Sequence, residues 1–319
     1  MKGLLAVLVL GSISAQGQTI TETFGTGANS FSMDFVAIGN PNNPSDLNGF
    51  GSVGAAYRIG KYEISREFIE KANTEAGLGL PVWNYSGWSA SPSQPIYSTT
   101  FYNAVRFVNW LNVSKGYSPA YKFSTQPGDS GYDAYAAFTP WSAADAGFDS
   151  RNVFRNAGAR FFIPTINEWY KAAYFDSSTS VYFDFATGSD AAPTPVVGGT
   201  SSGTAVYGFL SGGQMADVEN AGGLSPYGTM GQTGNAWEWT EQTIPEVLPG
   251  SFQTGHGVNL GGSYAMPELK VSANFTNGTI RTYDGIGFRV LDSVPEPSSL
   301  SLLLAGGAVL MAGRRRKQD

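Results

Sequence analysis

The sequence of 319 residues contains no cysteine and a single histidine, His256. Without cysteine the chain can form no disulfide bond, no thiolate nucleophile and no zinc–sulfur site. A Ser-His-Asp arrangement would have to use His256, and no serine lies in a nucleophile motif. The lack of disulfides does not exclude an oxidising compartment, because a chain of this length can be stabilised by packing alone.

Charged residues are also scarce, at 14% of the chain, and the formal net charge is −6. This acidic balance argues against nucleic acid as a partner. Hydrophobic residues make up 42% and aromatic residues 13%, which is enough for a packed core, and glycine is abundant with 41 residues. The composition therefore predicts a loop-rich globular protein and not a disordered one.

The N-terminal segment has the pattern of a targeting signal. Met1 and Lys2 precede an apolar run from Gly3 to Ile13, which is followed by small and polar residues. A short positive region, a short apolar region and small residues predict a secretory signal peptide over 1–17. A buried N-terminal strand is the alternative interpretation.

The C-terminal segment has three parts. Pro295, Glu296 and Pro297 precede an apolar stretch over 300–313 and a basic cluster over 314–317. The apolar stretch is shorter than the ~20 residues of a standard membrane span, and the basic cluster would stay on the cytoplasmic side. This tail closely resembles the PEP-CTERM sorting signal of Gram-negative bacteria. The resemblance implies a transient membrane anchor, cleavage near Pro-Glu-Pro by an exosortase-type enzyme, and export to the surface or extracellular matrix. A plain C-terminal anchor is the alternative.

Three helices are predicted in the body of the chain. Ser65 is a suitable N-cap for a helix over Arg66–Ala76, which a following glycine ends. Apolar residues at helical spacing predict a second helix over Thr99–Asn112, with its apolar stripe in the core. Thr165 and Glu168 have the spacing of a capping box that opens a third helix. We therefore assign Glu168 to capping and not to catalysis.

Strands are indicated by alternating or short apolar runs. Residues 18–50 predict an edge strand followed by a turn, and residues 54–62 and 160–163 predict two more strands. Strands over Val258–Tyr264 and Phe288–Leu291 are expected to pair and to bring the ends of the domain together. Weaker strand signals lie over 120–123 and 153–155.

The rest of the chain is arranged around the stretch Ser225–Gln242, which combines glycines with two tryptophans. Pro226 and the glycines argue against a long helix or a central strand and allow tight turns instead. The simpler interpretation is a buried structural loop. The alternative is an ion or ligand site built from turned-in carbonyls together with Glu238 or Asn235.

Five blocks of sequence, spanning about 53–291, occur in the order typical of one family. They are YRIGKYEISREFIEKAN at 57–73, PIYSTTFYNAVRFVNWLN at 95–112, ARFFIPTINEWYKAAYFD at 159–176, GNAWEWT at 234–240 and the segment 258–291. Together they resemble the formylglycine-generating enzyme, or sulfatase-modifying factor, superfamily. The resemblance implies an irregular, coil-rich α+β fold of the C-type-lectin-like kind, with two core helices.

The activities of that family do not carry over to this chain residue by residue. In its formylglycine-generating members, a cysteine pair after the Gly-Gly-Ser-Tyr segment binds copper, and the matching positions here are Met266 and Val271. A thioether and an alkyl group cannot supply thiolates, so copper is not expected and the sulfatase-activating reaction is disfavoured. The ergothioneine-type sulfoxide synthases need a three-histidine iron site, which one histidine cannot provide.

Calcium is the remaining cofactor that the resemblance implies. Its ligands would be the carbonyls of Gly234 and Ala236 and the carboxylate of Glu238. The first ligand of the family's set falls on Gly231, which has no side chain. One ligand fewer weakens such a site, so calcium stays a weak candidate.

The sequence predicts an exported, non-catalytic surface or matrix protein. The predicted divisions are a signal peptide at 1–17, an N-terminal strand segment at 18–50, the sulfatase-modifying-factor-like domain at 51–292 and the sorting segment at 293–319. Aromatic residues expected in loops could stack on the sugars of an exopolysaccharide; they are Trp83, Tyr85, Trp88 and Trp141. A structural display protein without a small ligand is one alternative, and a sulfatase-modifying oxidoreductase is the other.

Overall fold

The computed structural model describes residues 18–82, 91–125, 129–133, 138–208, 210, 214–241, 257–260, 276–278 and 286–293. Within these ranges the helices are α1 (Arg66–Ala76), α2 (Phe101–Ser114) and α3 (Ile166–Tyr174). The strands are β1 (Thr19–Phe24), β2 (Phe31–Ile38), β3 (Tyr57–Gly60), β4 (Phe161–Phe162), β5 (Phe175–Asp176), β6 (Val181–Tyr182), β7 (Thr194–Pro195), β8 (Thr204–Ala205), β9 (Trp237–Glu241), β10 (Gly257–Leu260), β11 (Thr276–Gly278), β12 (Ile286–Phe288) and β13 (Leu291–Ser293). No helix in the described part of the chain is both long and apolar enough to cross a membrane.

The helix ends follow the capping chemistry that the sequence predicts. The Ser65 side chain accepts a hydrogen bond from the Phe68 backbone N–H at the start of α1, and Gly77 ends that helix at a φ of 62°. Thr100 caps α2, which begins and ends two residues later than predicted. The Thr165–Glu168 capping box is formed in both directions at the start of α3. Each cap satisfies backbone N–H groups that would otherwise lack partners, and is worth about 1 kcal/mol.

Helix α2 is the centre of the core. Its aromatic residues contact both larger sheets: Phe107 packs on Phe31 of β2 and on Phe288 of β12. The apolar-stripe prediction was incomplete, because Arg106 and Asn109 are also buried. Asn109 is satisfied by two hydrogen bonds with the Tyr121 backbone, at 2.7 and 2.8 Å. The helix is therefore buried on its polar as well as its apolar side, and Asn109 binds loop backbone.

The strands form a five-stranded antiparallel sheet in the order β1-β2-β3-β13-β4 and a four-stranded sheet in the order β11-β10-β9-β12. Two small two-stranded sheets, β5-β6 and β7-β8, complete the described architecture. The irregular α+β fold is confirmed: the described residues form short strands, three α-helices and long stretches of coil.

Five strand predictions were wrong. The predicted single edge strand after residue 18 is a hairpin, β1-β2. The strands of the last block do not pair with each other, because β9 lies between β10 and β12. Residues 120–123 contribute only an isolated bridge and residues 153–155 form no strand. The tryptophan-rich stretch does contain a central strand, β9, which starts just after its last glycine.

Both ends of the described domain leave the five-stranded sheet on the same side. The first residue of β1, Thr19, lies opposite Val36 near the end of β2, and Ile38 lies opposite Tyr57 at the start of β3. Tyr57 in turn lies opposite Ser293, the last residue of β13. The first strand of the domain therefore begins, and its last strand ends, at the same end of the five-stranded sheet.

Candidate functional site

The glycine-rich part of the stretch Ser225–Gln242 is a buried coil whose backbone needs glycine at two positions. Gly231 and Gly234 have φ values of +80° and +93°, and Asn235 follows at 58°. A Cβ atom at Gly234 would lie 2.3 Å from the Val206 carbonyl oxygen, so no larger residue fits there without a shift of the backbone. This turn places Asn235 and Glu238 in the interior, where both are fully buried.

Glu238 is held by a buried guanidinium. Arg289, just after β12, donates Nη2–H to Glu238 Oε1 at 2.5 Å and Nε–H to Oε2 at 2.6 Å. The Trp169 indole N–H of α3 donates to Oε2 at 2.8 Å. Both carboxylate oxygens are thus occupied, in the bidentate geometry that gives strong charge-assisted hydrogen bonds.

The remaining N–H groups of Arg289 are used by backbone carbonyls. Nη1 donates to Gly60 at 2.9 Å and to Lys61 at 3.3 Å, and Nη2 donates to Met230 at 2.9 Å. The Arg289 side chain therefore joins β3, the glycine-rich coil and β9, and Glu238 extends the network to Trp169 of α3. It connects the two larger sheets through the interior of the molecule.

A second carboxylate, Glu63, lies beside this pair. Asn235 Nδ2 donates to Glu63 Oε2 at 2.5 Å, and the Ala236 backbone N–H donates to Oε1 at 3.0 Å. Burial, together with the negative charge of Glu238, raises the pKa of Glu63 well above its usual range, and the Arg289 charge offsets this only in part. Glu63 also fills the space next to Gly231, whose Cβ position would be 2.9 Å from Glu63 Oε2.

These contacts do not fit the calcium site that the resemblance implies. A calcium ion on the carbonyls of Gly234 and Ala236 would need an oxygen of Glu238, yet Arg289 and Trp169 occupy both. A divalent cation there would also meet a fully buried guanidinium of the same sign. No group of three or more His, Cys, Asp or Glu residues that could hold a metal occurs in the described ranges.

A second buried ion cluster lies at the start of α3. Arg155 donates to both oxygens of Glu168, at 3.2 and 3.0 Å, and to Glu241 at 2.7 Å. The Tyr121 hydroxyl donates to the other oxygen of Glu241. Burial alone would lower the pKa of Arg155, but the charges of Glu168 and Glu241 outweigh it and raise that pKa. Burial likewise opposes ionisation of Glu168, yet Arg155 lowers its pKa.

Neither cluster has the form of an acid–base site. In both, each carboxylate is held by a guanidinium, an N–H group or a hydroxyl; Glu63, Glu238 and Glu241 are buried, and the Glu168 side chain is 15% exposed. A general base needs an accessible lone pair within reach of substrate. The described carboxylates of these clusters hold loops together and leave no such group.

The predicted binding residues are divided between described and undescribed parts of the chain. Trp141 is half-buried; its indole N–H donates to the Ala120 carbonyl at 3.0 Å, and Lys122 Nζ lies 5.9 Å from its ring centroid. Trp83, Tyr85 and Trp88 lie outside the described residues, as do Met266, Val271, His256, Pro295, Glu296 and Pro297.

Sequence reasoning missed the roles of Glu63, Arg155 and Arg289. Glu63 and Arg289 are each a single charged residue among apolar neighbours, in YEIS and GFRV. A lone charge in such a position indicates a buried partner, so the sequence carried a signal for both residues. Arg155 comes from a glycine-rich segment without periodicity, and nothing local to it indicates a partner 86 residues away.

Comparison with known proteins agrees with both resemblances. Residues 51–294 match the family model described as the sulfatase-modifying factor enzyme 1-like domain, and residues 293–317 match the PEP-CTERM protein-sorting motif. No curated protein matches the chain.

Two solved structures have a similar fold. "Treponema denticola variable protein 1" has a TM-score of 0.55 at 19% identity and covers 86% of this chain and 99% of its own. "Crystal Structure of CarF" has a TM-score of 0.55 at 20% identity and covers 82% of this chain and 98% of its own. At these identities the likeness concerns the fold alone.

Proposed function

We propose that this chain, which belongs to the family of sulfatase-modifying factor enzyme 1-like domains, is a non-catalytic binding domain that recognises extracellular polysaccharide. Its PEP-CTERM motif indicates export to the bacterial cell envelope and implies processing by an exosortase-type enzyme. We place the mature protein at the surface or in the matrix of a Gram-negative bacterium, held at the membrane by its C-terminal segment until cleavage.

The observation that carries the non-catalytic part of the proposal is the absence of cysteine from a member of this family. Copper(I) chemistry on oxygen requires thiolate ligands of the kind that Met266 and Val271 cannot supply. The buried carboxylates support the same view, because Arg155 and Arg289 hold them. The domain therefore keeps the fold while lacking the groups for the family's chemistry.

The binding part of the proposal is supported by Trp141. Its N–H···O bond to Ala120 fixes the ring while leaving the side chain partly exposed. A fixed aromatic face is a suitable surface for the apolar side of a sugar ring, because little side-chain entropy is lost on binding. The sequence has further aromatic residues at 83, 85 and 88, which lie outside the described ranges.

The test is binding of the exported protein, recovered from the producing cells, to the polysaccharide of the same cells, with and without calcium. We expect saturable binding in both conditions. Trp141→Ala should weaken it several-fold, whereas Trp141→Phe, which keeps a ring but loses the N–H···O bond, should retain most of it. Val197→Ala, at a residue 57% exposed, serves as the surface control. No retention of the wild-type protein on any fraction would refute the proposal.

Two other functions are weighed against this one. A structural display protein would show no retention on polysaccharide and would depend on cleavage of its tail. A sulfatase-modifying oxidoreductase would be expected from the family alone, but it has no cysteine with which to work.

A further inference from the structure

The outer edge of the five-stranded sheet is open in the described part of the chain. Its first strand, β1, pairs with β2 on one side and with no described strand on the other. Thr19, Thr21 and Thr23 are exposed along this strand, in alternation with the less exposed Ile20 and Glu22. An unpaired strand edge is a template for pairing with another chain.

The register identifies which backbone groups face outward. The Ala37 N–H donates to the Gln18 carbonyl, and these two residues continue the β1-β2 register by one pair beyond Thr19 and Val36. In an antiparallel ladder such hydrogen-bonded pairs alternate with non-bonded ones. The N–H and C=O groups of Thr19, Thr21 and Thr23 therefore point away from β2, toward the open edge.

This edge lacks the usual features that prevent association. The strand TITETF contains no proline and no lysine, and its ladder with β2 runs without a bulge. Its one charged side chain, Glu22, is bound by Arg160 at 2.5 Å and Lys115 at 3.5 Å. The opposite edge of the same sheet, β4, has only two residues.

The strand is complementary to itself in one register. We propose that two copies of this chain pair through β1, antiparallel, with Thr21 opposite Thr21 of the partner subunit. Thr19 then lies opposite Thr23 of the partner subunit, so all three outward-facing residues form hydrogen-bonded pairs. Cross-strand Thr–Thr pairs are favourable, and the two Glu22 side chains are not directly opposite each other.

An exposed aromatic side chain is linked to the same strand. Tyr117, just after the end of α2, is 38% exposed, and Arg160 joins it to Glu22. Lys115 contacts Glu22 and the Phe24 ring. A second copy on β1 would cover part of the exposed Tyr117 side chain. The inference is independent of polysaccharide binding.

The cysteine-free chain allows a direct test with single cysteines. In the proposed register, Cα atoms at position 21 of the two copies are about 5.5 Å apart, which is within the range of a disulfide. Because position 19 of one copy lies opposite position 23 of the other, the Cα atoms at position 19 of the two copies are offset by four residues, or about 14 Å. Three variants of the exported protein, Thr19→Cys, Thr21→Cys and Thr23→Cys, are each oxidised and analysed on non-reducing gels.

We expect a disulfide-linked dimer from Thr21→Cys, little from Thr19→Cys or Thr23→Cys alone, and a dimer from an equimolar mixture of those two. Folded Thr21→Cys protein that stays monomeric, or equal yields from all three variants, would overturn the inference. If Thr21→Cys is not recovered folded, the oligomeric states of Thr21→Pro and Thr21→Val are compared by analytical sedimentation; we expect Thr21→Val to be a dimer and Thr21→Pro a monomer. Both lose the side-chain bond to Asp34, but only proline loses the outward N–H. A dimer from both, or from neither, would overturn the inference equally.

Discussion

Arg289 and Glu238 form a bidentate ion pair in which both side chains are completely inaccessible to solvent. Desolvation of two charges is costly, and such a pair is retained only when every polar atom has a partner. Here the partners are backbone carbonyls of the β3 turn and the glycine-rich coil, together with the Trp169 indole. The pair therefore fixes the geometry of the stretch that carries the family's most recognisable sequence.

Glu238→Gln should destabilise the domain by about 3–5 kcal/mol, because it leaves Arg289 buried without a counter-charge. Urea unfolding followed by circular dichroism measures the change. Glu70→Gln is the matched control, since Glu70 forms an i,i+4 pair with Arg66 at the surface and should cost less than about 0.5 kcal/mol. Equal effects of the two substitutions would contradict a structural role for the buried pair.

Gly234→Ala should destabilise the fold, and more strongly than Gly79→Ala. Both glycines have positive φ, +93° and +64°, so both substitutions add backbone strain of about 1–3 kcal/mol. At Gly79 an added Cβ meets no atom within 4 Å, whereas at Gly234 it meets the Val206 carbonyl oxygen at 2.3 Å. The difference in melting temperature between the two variants isolates the clash. Melting temperatures that fall equally would show that the coil can move aside.

Glu63 should make the domain less stable as pH rises above about 4.5, the ordinary value of a glutamate. Its pKa is raised in the folded state by burial and by Glu238, so the folded state holds a proton that the unfolded state has lost. Stability then falls by up to about 1.4 kcal/mol per pH unit until the folded-state pKa is passed. Carboxylates with a lowered pKa, such as Asp145 with a pKa of about 2, change the stability only at pH values below this range.

The pH dependence is measured by denaturant unfolding of wild type and Glu63→Gln at several pH values between 5 and 8. The variant carries no proton to lose, so its stability should vary less steeply in this range. Glu67→Gln, at an exposed position four residues along the same segment, should keep the wild-type slope. Parallel curves for wild type and Glu63→Gln would show that Glu63 is ionised in the folded protein.

Calcium should not stabilise the domain through the tryptophan stretch. A ligand that binds only the folded state raises the melting temperature by mass action, but Glu238 is held by Arg289 and Trp169. We expect the same melting temperature in EDTA, in millimolar calcium and in millimolar magnesium at matched ionic strength. A rise specific to calcium would contradict this reading of the donor set.

The parts of the fold that sequence predicted are those with local causes. Ser65, Thr165 and Glu168 act within one helical turn, so their spacing alone is enough to place the helix starts. The glycines before β9 were also read correctly as a turned coil. The strand that follows was missed because its pairing with β10 and β12 is long-range.

The candidate site was predicted less well for the same reason. Glu238 was singled out, but its partner Arg289 is 51 residues away in sequence and bonds the carboxylate oxygens that the calcium interpretation needs. The environment of Glu63 depends on Asn235 and Ala236, more than 170 residues further along. No local pattern encodes such contacts, whereas the missing cysteines could be read directly.

We propose that this domain keeps the fold of its family without the family's chemistry. The most direct test is incubation of the exported protein with a cysteine-containing sulfatase peptide, copper and oxygen, followed by mass spectrometry for the aldehyde product. We predict no conversion of the cysteine above the level of a protein-free control. Repeated turnover that is lost when the protein is removed would show that the domain has kept the family's chemistry.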